Sequence, residues 1–157
     1  MLFRSSGGHR KSLHDTRALA IALKFIKDFQ PDHIILGGDM LDCGPISHHN
    51  DRKPGRTEGL RIFADAKELR SALLEPLEAL QGTSLTYIVG NHEDWLNDLI
   101  AAQPGLDGVV NPEVILGLDQ WRVVQNGGYH KLGKLVFCHG DQLRGGENIA
   151  KQAVVDH

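Results

Sequence analysis

The chain has 157 residues, 41% hydrophobic and 24% charged, with a formal net charge of −3. That is the balance of one water-soluble globular domain, and it gives no reason to expect tight non-specific binding to nucleic acid. Two cysteines, Cys43 and Cys138, are too few for a disulfide framework. No apolar run approaches the roughly 18 residues a bilayer span needs, and "MLFRSSGGHRKSLHD" lacks the continuous apolar core of a secretion signal. The expected location is therefore the cytoplasm, off the membrane, with both thiols reduced.

In chain order, residues 15–29 predict an amphipathic helix with Asp15 as N-cap and an apolar stripe of Leu19, Ala22, Leu23, Ile26 and Phe29, ended by Pro31. "HIILGGD" predicts a short, fully buried strand stopped by two glycines, delivering Asp39 at its carboxyl end. Residues 40–56 form a loop, in which Arg52, Lys53 and Arg56, with Arg61 beyond it, read as a solvated basic face. A long helical pattern runs from Glu58 to Leu80 on the stripe Ile62, Ala66, Leu69, Leu73, Leu77 and Leu80. Pro76 falls inside it and predicts a kink or break.

"SLTYIVGN" predicts a second buried strand and "EDWLNDLIAAQ" a helix. In "NPEVILGL", Asn111 as N-cap and Pro112 at the first position mark a short helix. "WRVVQN" and "YHKLGKLVFCHG" are strand-like, with Gly133-Lys134 fitting a two-residue hairpin turn. Residues 146–155 predict a helix. Nothing marks a linker or repeat, so residues 1–157 are expected to form one domain.

Alternating helix and buried strand predicts an α/β sheet protein, in which ligands bind beyond the carboxyl ends of the strands. Three such ends carry polar residues: Asp39 in "GGDMLD", Asn91 and His92 in "GNHED", and His139 in "CHGD". Alone, an Asp after two glycines is a turn residue, and a His in a strand is a satisfied core imidazole. Together, a carboxylate, an amide oxygen and an imidazole make a mixed oxygen and nitrogen donor set suited to a divalent ion.

These blocks resemble the calcineurin-like metallophosphoesterases, whose ordered signature is DxH, GD, GNH[DE], an isolated His, and GHxH. "GGDMLD" is similar to the GD block, "VGNHED" to GNH[DE], and "FCHGD" to the isolated His. The resemblance implies an αββα sandwich of mixed sheets flanked by helices. It implies that Asp39 bridges two metals, that Asn91 and His139 hold the second, and that His92 is the catalytic group at the leaving oxygen rather than a ligand. Glu93 would orient His92 or stand as a solvent-facing carboxylate at a helix start, and Asp42 is a loop residue or a support behind the ligands. The implied reaction is hydrolysis of a phosphomonoester or phosphodiester, with attack by a hydroxide held between two ions about 3.5–4 Å apart. The implied metal is Mn²⁺, with Fe, Zn²⁺ or Ni²⁺ as alternatives, and the implied substrate a phosphoester, nucleotide or nucleic acid included.

Two blocks have no counterpart. Where DxH belongs the chain carries Gly8 and Arg10, and His9 is one residue out of register, which would turn it to the opposite face of a strand. GHxH would lie beyond His157. The sequence thus reads as a truncated member with an incomplete sandwich and exposed sheet edges. Metal one keeps only Asp39, so two-metal catalysis is expected to be impaired. A catalytically inactive fragment or binding module is the alternative. A further rival is the Cys-x5-Arg pattern of cysteine phosphatases in Cys138–Arg144, against which Asp141 would place a carboxylate in the phosphate cradle.

Overall fold

The computed structural model describes residues 15–47 and 61–143. The expectations resting on Gly8, His9, Arg10, Arg52, Lys53, Arg56, Arg144 and the 146–155 helix lie outside the described residues.

Helix α1 (Thr16–Phe29) starts where the Asp15 carboxylate accepts the N–H groups of Arg17 at 2.9 Å and Ala18 at 3.1 Å, satisfying two of the donors a helix leaves orphaned. It stops as Gln30 turns left-handed, φ 50°, just before Pro31. Leu19 is buried and Leu23 and Ile26 pack beside it, as the stripe predicts. Ala22 and Phe29 do not belong to that stripe. Phe29 is 66% exposed, stacked on exposed Phe25 in a row that also holds Ile21.

The second helical stretch runs through α2 (Ile62–Leu69), a π turn (Arg70–Leu74) and α3 (Glu75–Glu78). The irregularity expected at Pro76 is therefore a widened turn. Pro76 has no N–H, and its ring would strike the carbonyl four residues back; in the π turn the Glu75 N–H instead reaches the Arg70 carbonyl, five residues back. Ala66, Leu69, Leu73 and Leu77 face the core.

Strands β1 (His33–Leu36), β2 (Ser84–Ile88) and β3 (Arg122–Val124) form a parallel sheet in that order. Between β2 and β3 lie α4 (Asn91–Ala102) and α5 (Pro112–Leu116), the latter opening on Pro112 as its sequence requires. Strands β4 (His130–Leu132) and β5 (Leu135–Phe137) make an antiparallel hairpin, Leu132 opposite Leu135, with Gly133 left-handed in the turn, φ 60°. Parallel and antiparallel pairing among helices is the mixed α/β class expected. β1 was expected to be fully buried, yet only Ile34 is. Among the described residues β1 pairs with β2 alone.

One core unites these parts: Leu69, Leu74 and Leu77 from the second helical stretch, Tyr87 from β2 and Val89 just beyond it, Leu96 from α4, and Leu116 and Trp121 nearer β3. Among the described residues, no helix is long and apolar enough to cross a membrane.

Candidate active site

Parallel register places the site. Leu36 lies opposite Tyr87, so the residues three positions beyond each, Asp39 and Gly90, leave the sheet side by side. The two turns touch so closely that a Cβ at Gly90 would sit 2.3 Å from Asp39 Oδ1, and one at Gly38, itself at φ 93°, would sit 2.6 Å from His139 Nδ1. Only glycine permits that approach. Asp39 itself is left-handed, φ 54°, a conformation costly for a residue with a Cβ and held by its surroundings.

Those surroundings centre on Glu93. Its side chain is fully buried. Oε2 accepts the N–H groups of Asp39 at 3.0 Å and Gly90 at 3.1 Å; Oε1 accepts the Leu41 N–H at 2.9 Å and the Tyr87 hydroxyl at 2.8 Å. Four donors from two loops and β2 thus share one carboxylate, which ties the turn after β1 to the turn after β2. Neither role expected of Glu93 is found: it is not solvent-facing, and its hydrogen bonds go to backbone and Tyr87, not to His92. A Glu three residues after a helix start normally turns back to the first N–H, and the Gly90 bond does this; the other three exist only because the second loop folds over it. Burial, and then the Glu93 charge, push the Tyr87 hydroxyl and the Cys43 thiol well above their ordinary values, so both stay protonated.

Asn91 and His92 occupy the first turn of α4 rather than the strand end itself. The His92 N–H donates to Asp39 Oδ1 at 3.1 Å, leaving Oδ2 to face the two imidazoles of His139 and His92. His139, two residues beyond β5, reaches the same place. Its Nε2 lies 3.0 Å from Asn91 Oδ1 and 3.5 Å from Asp39 Oδ2, and its Nδ1 lies 2.8 Å from the Gly37 carbonyl. A carbonyl can only accept, so Nδ1 carries the proton. Nε2 then faces two oxygens, one from a carboxylate and one from an amide. The sequence-predicted trio Asp39, Asn91 and His139 is therefore brought together, and its donor set fits a divalent ion. Among the described residues, no three side chains drawn from His, Cys, Asp and Glu cluster as a metal cage, and the convergence here counts the Asn91 amide as one of its three members.

His92 stands beside the trio. Its ring stacks on Trp95, centroids 4.5 Å apart and planes 20° apart. Its buried Nδ1 makes no hydrogen bond and lies 3.5 Å from Asp42 Oδ1, while Nε2 lies 3.9 Å from Asp39 Oδ2. Asp42 is thus more than a loop residue: it is buried and faces His92. Its spacing three residues after Asp39 was the available signal, but a carboxylate in a Gly- and Pro-rich loop reads as a turn former until the loop is folded. Cys138, the nucleophile of the cysteine-phosphatase rival, is half-buried at the end of β5.

A sequence profile described as calcineurin-like phosphoesterase matches residues 10–155. No curated protein and no solved structure matches the chain.

Proposed function

The chain belongs to the calcineurin-like phosphoesterase family, and from that premise we propose that it is a metal-dependent phosphoesterase built on Asp39, Asn91, His139 and His92. The observation that carries this reading is the approach of Asn91 Oδ1, at 3.0 Å, and Asp39 Oδ2, at 3.5 Å, to His139 Nε2. A bound divalent cation, Mn²⁺ first, supplies Lewis acidity toward a phosphoryl oxygen and lowers the pKa of water. The Gly37 carbonyl fixes the His139 tautomer so that Nε2 offers a lone pair. Asn91 contributes an oxygen without adding negative charge. His92 acts at the leaving oxygen through Nε2, the nitrogen on the Asp39 side of the ring, while Nδ1 is buried beside Asp42. Trp95 holds the plane of that ring.

A second ion would share Asp39 but has no further partner set among the described residues. The reading is therefore one firmly held cation and impaired two-metal hydrolysis. Calorimetric titration with Mn²⁺ tests it, with one tight site per chain expected; two tight sites would overturn the impairment, and none would overturn the metal reading. Chelator-sensitive hydrolysis of p-nitrophenyl phosphate or its bis ester is expected to fall at least about 10²-fold in His92→Ala. Mn²⁺ uptake with no chelator-sensitive hydrolysis would leave a metal-binding module in place of an enzyme.

A further inference from the structure

Two of the three converging residues belong to turns welded by Glu93. The third does not. His139 follows a hairpin that shares no ladder with the parallel sheet among the described residues, and the segment after it is exposed at Asp141 and Gln142. Beyond the ring bond to the Gly37 carbonyl, the backbone that carries the imidazole needs its own anchor.

A chain of side-chain amides spans that gap. Asp94, in the first turn of α4, accepts through Oδ2 from Asn126 Nδ2 at 3.1 Å and through Oδ1 from Asn97 Nδ2 at 2.8 Å. Asn126 Oδ1 in turn accepts from Gln142 Nε2 at 3.1 Å, three residues past His139. The amide orientations follow from chemistry, since a carboxylate only accepts and so must face the Asn126 NH₂. The loop after β3 that presents Asn126 is itself a built turn. The Gly128 N–H donates to the Gln125 carbonyl at 2.9 Å, Gln125 bonds to Glu113 of α5, and Gly127 is left-handed, φ 79°. A Cβ at Gly127 would sit 2.9 Å from Gln142 Nε2, so the two loops are in direct contact.

We propose that Asn126 is a positioning residue that latches the His139 loop onto the start of α4 through the relay Asp94–Asn126–Gln142, and thereby sets the third ligand of the metal site. The proposal rests on the metal reading above for its function, but the latch itself is tested without metal. Asn126→Asp keeps size and shape while placing two carboxylates face to face. Adding Asp94→Asn reverses the polarity: the new amide at 94 donates to the new carboxylate at 126, and can still accept from Asn97. Backbone ¹⁵N order parameters on metal-free protein are expected to fall for residues 139–143 from near the rigid value of about 0.85 to below about 0.6 in Asn126→Asp. They are expected to return in the double variant, while those of β2 stay unchanged in both. The Mn²⁺ dissociation constant is expected to rise about tenfold and recover in the same pair, the scale of one or two lost hydrogen bonds. Unchanged order parameters in Asn126→Asp, or a loss that the double variant fails to restore, would overturn the latch. A wild-type chain that takes up no Mn²⁺ would overturn the metal reading and leave the latch to be judged on the order parameters.

Discussion

The two halves of the site are built on different physics. Around Asp39 and Asn91, a fully buried carboxylate gathers four donors at 2.8–3.1 Å, beneath loops so close that only glycine fits between them. Around His139, one ring bond to the Gly37 carbonyl and a surface relay of amides do the holding. The first half is as stable as the core that contains it, because its hydrogen bonds cannot be replaced by water without opening the fold. The exposed Gln142–Asn126 bond of the second half competes directly with water, so losing it is expected to loosen the site while the protein stays folded.

The sharpest way to break this comparison is Glu93→Ala. It orphans three backbone N–H groups and the Tyr87 hydroxyl, each costing about 1–3 kcal/mol when buried, so a loss of at least about 4 kcal/mol is expected in urea unfolding. A loss below about 1.5 kcal/mol would show that the two turns are held by something else.

Raising the pH probes the same hub more gently. Cys43 and Tyr87 are held above their ordinary values of 9.0 and 10.0, first by burial and then by the Glu93 charge. The unfolded chain therefore releases these protons before the folded chain does. Their contribution is complete below about pH 9 and is lost as pH rises, by about 1.4 kcal/mol per pH unit for each group once its unfolded form ionises. Urea midpoints measured between pH 8 and pH 11 should fall accordingly, and Cys43→Ala should remove the earlier part of the decline. A flat profile in the wild type would refute the burial of these groups.

The smallest global effect is expected on the other side. Gln142→Ala removes one exposed hydrogen bond and should change unfolding free energy by no more than about 0.5 kcal/mol. It should nevertheless weaken Mn²⁺ binding several-fold. Destabilisation as large as that of Glu93→Ala would erase the distinction between the halves.

Local chemistry made much of this legible from sequence. Asp15 announces α1, Pro112 announces α5, the glycines after "HIIL" and "YIV" announce strand ends, and Gly133-Lys134 announces the hairpin, because caps, fixed φ angles and left-handed turns act within a few residues. The trio Asp39, Asn91 and His139 was legible for the same reason: each follows its own apolar strand run. The exposure of Phe29 was not, since helical spacing marks an apolar face but not whether anything covers it. Nor was the burial of Glu93, a charged residue that periodicity assigns to water, or the approach of Asp42 to His92. Those depend on which loop lies over which, and with them the Asp94–Asn126–Gln142 relay joins residues up to 48 positions apart, as numbered in the chain. Sequence fixes what each segment can do alone; only the register of β1 on β2 decides which polar groups end up sharing one carboxylate, since that choice is made by packing the whole core at once.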